Sequence, residues 1–329
     1  MSLSTQTSAE SFEEILKRGK VRCGYLHFEN VDPDLANGFK DFSEDLCRAF
    51  SLAAFQKENY QFFEFTNQDK IQQALLEETI DIILPTAPIK LNKVDFRKNT
   101  RFITAIFFNP NLFIVKRDSI IKTHLHLEGK KICYTDNGDL VYRIKELAKQ
   151  MSFEPLLTAY TTAHDLEKDF SNDTCDVMAT NYIHYMTLLK NPKFTPSSHE
   201  RSLITFLKPY ISIQPMQPLI KAGHDNSYDF FQWVIWGLIE AEEKNINQTN
   251  ILKLRYSEDP SIQRLLGNVK GIGVVLNLPD RWLYSVVEKV GNYGEIFSRH
   301  LGKKSAYREK RSLNQLWTRG GLIYAIPVR

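Results

Sequence analysis

The sequence predicts an α/β fold of two domains, and three patterns carry that reading. Short apolar runs of strand length alternate with amphipathic stretches at helical spacing in the first part of the chain. The same rhythm returns between residues 131 and 180. Two apolar segments, 112–115 and 211–220, bracket this second set, as expected where one domain is inserted into another through adjacent strands. At 329 residues the chain is long enough for each domain to bury its own core.

A first helix over residues 9–18 gives way at Gly19 to a strand at 20–26. The next helix is expected over 42–54, where Leu46, Ala49 and Phe50 make an apolar face. An alternating strand follows at 60–65, then a helix at 67–78 with Ile71, Ala74 and Leu75 at helical spacing. The run Ile80-Asp-Ile-Ile-Leu84 has the continuous apolar character of a buried parallel strand and is stopped by Pro85 and Pro88. In the second set, strands at 131–135, 155–160 and 175–180 alternate with helices at 140–149 and 163–170. The return through 211–220 contains Pro215 and Pro218, whose fixed φ angles set the path of the crossover. A long helix with an aromatic face is expected over 227–245, and short helices broken by Gly and Pro fill the remainder. The domains so defined are 9–115 plus 216–329, and 116–215. A cleft between two such domains is the natural place for a small ligand.

Composition narrows the function. Charged residues make up 25% of the chain, the net charge is +3, and the two signs are interspersed, so no clustered basic face exists for nucleic acid. The basic stretch 303–311 reads as a solvated loop. No apolar run reaches the roughly 18 residues that would span a bilayer; the stretch 230–239 is too short and contains Gln232. The N-terminal Met1-Ser-Leu-Ser-Thr-Gln-Thr-Ser lacks the basic and apolar regions of a secretory signal. The chain is therefore either cytosolic or begins at the mature end of an exported protein, and the second reading is preferred. Four cysteines, Cys23, Cys47, Cys133 and Cys175, form no CxxC and no zinc-ligand spacing. Two fall in each domain, which permits the bridges Cys23–Cys47 and Cys133–Cys175 and equally permits four buried thiols. Neither a metal nor a cofactor is expected.

Several motifs carry a family resemblance. Val21-Arg-Cys-Gly24, Asp45-Leu-Cys-Arg48, Ile132-Cys133 and Cys175-Asp-Val177 are weak echoes. Val290-Gly-Asn-Tyr-Gly-Glu-Ile-Phe297, Ser312-Leu-Asn-Gln-Leu-Trp317, Gly320-Gly-Leu-Ile-Tyr-Ala325 and Pro327-Val-Arg329 are specific. Together they resemble the general L-amino-acid-binding proteins, a long-form branch of the family 3 periplasmic solute-binding proteins of ABC transporters. The resemblance implies a two-lobed type II binding-protein fold with a two-strand hinge and a helical C-terminal extension. It also implies the two disulfide bridges, an oxidising periplasm and a signal peptide absent from this chain. The C-terminal motifs are read as a cap on the first lobe, with Trp317 and Tyr324 offering apolar area; a docking surface for the permease is the rival reading.

The family holds an α-amino acid by charge-assisted hydrogen bonds to its carboxylate and ammonium groups. Carried over, the carboxylate position falls on Lys93, which keeps a charge but not the bidentate fork of Arg. The preceding hydroxyl-bearing loop keeps only Thr86. A Thr-rich turn becomes Gly138 and Asp139, and the ammonium-binding Asp becomes Asn181. The Gly-x-Asp that opens the first long helix is here Asp41-Phe-Ser43. Tyr25, Phe28, Phe42 and Tyr182 are expected to line the cleft, which suits a ring-bearing or apolar solute.

The reading adopted is an extracytoplasmic solute-binding protein of an amino-acid-type importer with a divergent cleft. It would be a periplasmic monomer that meets a small solute and an inner-membrane permease, and no nucleic acid. The alternative is a scaffold that has lost its pocket and serves as a sensor or partner-binding protein. An enzyme on the same fold, a dehydratase, would need a general acid such as Asp136 or Asp139. No nucleophile–base pair is legible among the eight histidines, and His184 reads as a helix-surface residue. No catalytic residue is expected.

Overall fold

The computed structural model describes residues 12–28, 31–84, 98–135, 139–196, 202–305 and 311–328. The chain packs as two compact units, one of Met1–Phe28, Ala36–Phe107 and Met216–Arg329, the other of Glu29–Leu35 and Phe108–Pro215.

The first unit opens with α1 (Phe12–Arg18), β1 (Val21–Leu26), α2 (Pro33–Phe55), β2 (Tyr60–Phe65), α3 (Gln68–Leu76), β3 (Ile82–Leu84) and β4 (Thr100–Phe102). Its sheet runs β2-β1-β3-β11-β4, where β11 is Leu219–Lys221. β1 is parallel to β2 and β3, while β11 is antiparallel to β3 and β4. The central β3 has every side chain fully buried, which is why its sequence is an unbroken apolar run.

α2 begins nine residues before the expected start at residue 42. Asp32 Oδ1 accepts from the backbone N–H groups of Asp34 (3.0 Å) and Leu35 (3.4 Å), and Pro33 sits at the first helical position. Asn37 and Gly38 are poor helix formers and hide this first part from pattern reading. Gly38 has a packing reason: a Cβ there would lie 2.5 Å from the carbonyl oxygen of His300. Asp41 and Ser43 consequently lie inside the helix and do not open it.

The second unit contains β5 (Phe107–Lys116), β6 (Lys131–Thr135), α4 (Leu140–Gln150), β7 (Leu156–Tyr160), α5 (Ala163–Ser171), β8 (Val177–Asn181), α6 (Tyr182–Leu188), β9 (Ile204–Phe206) and β10 (Ser212–Met216). Its strands run β10-β5-β8-β6-β7, with β9 also on β5. β6 is parallel to β7 and β8, and β5 is antiparallel to β8. The segment expected as one strand over 211–220 divides into β10 and β11, because Pro218 has no N–H to continue a ladder. Around the break, the Pro218 carbonyl accepts from Ile103 N–H at 2.9 Å and Gln217 Nε2 donates to the Ile103 carbonyl at 2.7 Å.

Each unit carries one disulfide. Cys23–Cys47 ties β1 to α2 with a Cα–Cα distance of 6.1 Å, and Cys133–Cys175 ties β6 to the residues ahead of β8 at 6.0 Å.

The C-terminal segment is built on α7 (Asp225–Glu243), followed by α8 (Ile251–Leu254), α9 (Pro260–Leu265), α10 (Ile272–Val275), α11 (Trp282–Lys289) and α12 (Tyr293–His300). Asn292 caps α12 in a capping box with Glu295, and its Nδ2 donates to the Ile246 carbonyl at 2.7 Å. Tyr293 is fully buried and donates to the Ile106 carbonyl at 2.7 Å. Arg311 donates to both carboxylate oxygens of buried Glu242 and lies 5.2 Å from the Tyr293 ring centre. Buried Glu240 accepts from the Val328 N–H at 2.7 Å. The Asn292–Phe297 motif thus packs the cap onto the first unit, whereas Trp317 and Tyr324 lie edge to face with half their surface exposed.

Candidate functional site

The expected ligand residues are distributed unevenly. Thr86, Lys93 and Gly138 lie outside the described residues. Asp139 stands ahead of α4 without a capping bond, is exposed, and pairs with Arg143 at 3.5 Å. Phe28 is partly exposed and packs edge-on against Phe39.

Three of the aromatic expectations need correction. Phe42 is 1% exposed and packs edge to face against Tyr293 and Phe297, so it belongs to the contact under the C-terminal cap. Tyr25 is fully buried, with its hydroxyl donating to the Ala36 carbonyl at 3.0 Å. Burial, with the charge of Glu64 behind it, holds its phenol well above the usual range. Tyr182 is buried against Tyr185 and Phe206. Alternation of apolar residues could not separate these from exposed rings, because an aromatic at a core position has the same pattern as one lining a pocket.

Asn181 ends β8 and caps α6, and its geometry changes what it offers. Its Oδ1 accepts the backbone N–H of His184 at 3.0 Å. Asn109 Oδ1 accepts the neighbouring N–H of Ile183 at 3.1 Å. The bond to His184 takes one lone pair of Asn181 Oδ1, which keeps a second, and the other end of the amide is a donor.

His184 is enclosed, contrary to the expectation of a surface position. Its Nδ1 lies 2.8 Å from Thr180 Oγ1 and its Nε2 lies 2.8 Å from Glu167 Oε1, with its side chain only 13% exposed. Sequence reasoning missed this chain because Glu167 comes from α5 and no spacing links it to residues 180 and 184. The cap itself was legible: Asn at a strand end followed by an apolar turn is an N-cap signal. A second polar chain, Asp169–Tyr160, touches the disulfide: the Tyr160 hydroxyl donates to Asp169 at 2.7 Å and lies 3.5 Å from Cys175 Sγ. Desolvation and then the hydrogen bond to Asp169 push the Tyr160 phenol up to about 12. Among the described residues no group of three or more His, Cys, Asp or Glu is placed to hold a metal ion. No helix of the described residues is long and apolar enough to cross a membrane.

Two mixed sheets with flanking helices, each with its own disulfide, are the architecture of the two-lobed type II binding proteins. No family model matches the chain. It is 28% identical over 333 residues to the general L-amino acid-binding periplasmic protein AapJ of Rhizobium johnstonii, covering 99% of this chain and 95% of that one. It is 25% identical over 328 residues to the putative amino-acid ABC transporter-binding protein YhdW of Escherichia coli, covering 97% and 92%. A solved structure of an ABC transporter periplasmic binding protein from Brucella ovis, with glutathione bound, matches with a TM-score of 0.69 at 25% identity, covering 98% and 100%. The resemblance to amino-acid-binding periplasmic proteins of ABC transporters therefore extends over the whole chain.

Proposed function

We propose that this chain is the extracytoplasmic solute-binding protein of an amino-acid-type ABC importer. The observation that carries the reading is the end-to-end match, 99% of this chain and 95% of an amino-acid-binding relative, together with a bridge in each lobe. The protein works in the periplasm as a monomer, binds a small amino-acid-derived solute and delivers it to an inner-membrane permease. It is a carrier and not a catalyst. Lys93, Thr86, Gly138, Asp139, Asn181 and Phe28 are the proposed solute-facing positions. Phe42 is removed from that set by its burial.

The test is a thermal-shift screen with free amino acids, N-acetyl amino acids and glutathione. A bound solute at one hundred times its Kd should stabilise the protein by about 2.7 kcal/mol. Mass spectrometry of the solute before and after incubation should find it unchanged. A screen in which nothing stabilises the protein would contradict the carrier reading and favour a scaffold that has lost its pocket. A chemically altered solute would point to an enzyme.

A further inference from the structure

Two polar side chains at the start of α7 are buried without a hydrogen-bond partner. His224 precedes the helix and is 7% exposed, and Ser227 in its first turn is 5% exposed. Neither His224 Nε2 nor Ser227 Oγ finds a partner among the described residues, and a buried polar atom left unpaired is costly to a folded protein. Both residues line one small recess of the first unit, together with Glu78, Asp81, Lys221 and the apolar Leu75.

Size and charge decide what the recess can take. Its volume of about 20 Å³ admits one molecule the size of water and no organic ligand. Asp81 is fully engaged: Oδ1 accepts from Arg22 Nε at 3.2 Å and Nη2 at 2.8 Å. Its Oδ2 accepts from the Arg22 backbone N–H at 2.7 Å and from Arg18 Nη2 at 2.6 Å. Glu78 is paired with the Lys221 ammonium. With three cations already on these two carboxylates, a further cation would meet like charge, and an anion would meet the carboxylates themselves. A neutral occupant fits.

Glu78 also supplies a measure of distance. His224 Nε2 stands 3.7 Å from Glu78 Oε1, beyond the reach of a direct hydrogen bond and close enough for one water to touch both. Glu78 has a φ of +59° in the turn that closes α3, where its N–H donates to the Leu75 carbonyl at 3.2 Å. Such a position favours glycine, and glutamate instead brings a carboxylate to the recess.

We infer that the recess binds one ordered water, held by His224 Nε2, Ser227 Oγ and the Glu78 carboxylate. Water both donates and accepts, so it serves either tautomer of His224 and either role of the Ser227 hydroxyl. Three partners are the usual number for a buried water. Held in this way, it joins the turn after α3 to the first turn of α7, the helix on which the C-terminal segment is built.

A crystal structure of the wild-type chain that shows solvent should place one water within about 3 Å of both His224 Nε2 and Ser227 Oγ. An empty recess, an ion in it, or a direct bond from His224 to Glu78 or Ser227 would overturn the inference. Urea unfolding adds a reading that differs in sign. In a dry recess, Ser227→Ala and His224→Phe each delete an unpaired buried polar atom, and alanine is the better helix former, so both variants should gain stability. With the water bound, each variant removes one of its partners, and the unfolding equilibrium constant should rise about threefold to tenfold. A gain in stability from both variants would likewise overturn the inference. Should either variant fail to fold, the wild-type crystal structure decides alone.

Discussion

The first unit and the second treat their polar groups differently. Around the C-terminal cap, Glu240, Glu242 and Asp45 are each buried or nearly so, and each is held by a partner far along the chain. In the second unit the interior polar chain of Thr180, His184 and Glu167 is equally satisfied, yet it ends at Asn181 with one amide hydrogen-bonding end unused. Satisfaction by partners distant in sequence fixes the cap in the first unit and the start of α6 in the second.

The strongest way to break this comparison is at the cap. Replacing Glu242 with Ala leaves the Arg311 guanidinium unpaired against Tyr293 and Phe297, and should cost about 3–5 kcal/mol in urea unfolding. A cost under about 1 kcal/mol would mean that the cap is held by its apolar contacts and not by this pair.

Opening the bridges comes next. The Cys133–Cys175 pair encloses a sequence separation of 42 and the Cys23–Cys47 pair one of 24. Loop-closure entropy predicts losses of about 4 and about 3.5 kcal/mol for the paired Ser variants, read by chemical denaturation. A much smaller effect of the second-unit bridge would indicate that the Tyr160–Asp169 contact beside it maintains the local structure without the covalent link.

A smaller effect is expected at Gly38. Alanine there meets the His300 carbonyl oxygen, and should destabilise by about 1–3 kcal/mol although alanine is the better helix former. A stabilised Gly38→Ala variant would show that α12 is free to shift away from α2.

The smallest effect is the pH dependence of the carboxylates in the first unit. Burial alone would raise the Asp45 pKa, but the His300 hydrogen bond and the Arg299 charge outweigh it and hold the carboxyl below its usual range. A depressed folded value means stability that is present above the unfolded pKa of about 3.9 and is lost as pH falls through the folded value. Asp81 has the opposite sign. Its burial outweighs the Arg22 and Arg18 interactions and raises its pKa, so its ionisation opposes folding and that cost is relieved as pH falls. Acid titration of stability should therefore lose slope below about pH 4 in Asp45→Asn, and should steepen above about pH 4, between the unfolded and the raised folded value, in Asp81→Asn.

Much of the fold was legible because its elements obey simple periods. The strands β1, β2, β3 and β6 follow from apolar runs or alternation, and α4 and α5 follow from helical spacing. The early start of α2 was hidden because Gly38 serves a distant contact with His300 and not the helix it sits in. The site was less legible. Asn181 was singled out by the resemblance as a solute-facing position, but its capping bond to the His184 backbone exists only once β8 has passed into α6. Glu167 and Thr180 meet His184 through tertiary packing that no linear spacing encodes. Phe42 and Tyr25 were placed in the cleft for the same reason: ring type predicts burial or binding equally well, and only packing decides.

The most direct test of the carrier reading is the thermal-shift screen with free amino acids, N-acetyl amino acids and glutathione. A solute at one hundred times its Kd should stabilise the protein by about 2.7 kcal/mol and be recovered unchanged. A protein that none of them stabilises, or a solute recovered chemically altered, would contradict that reading.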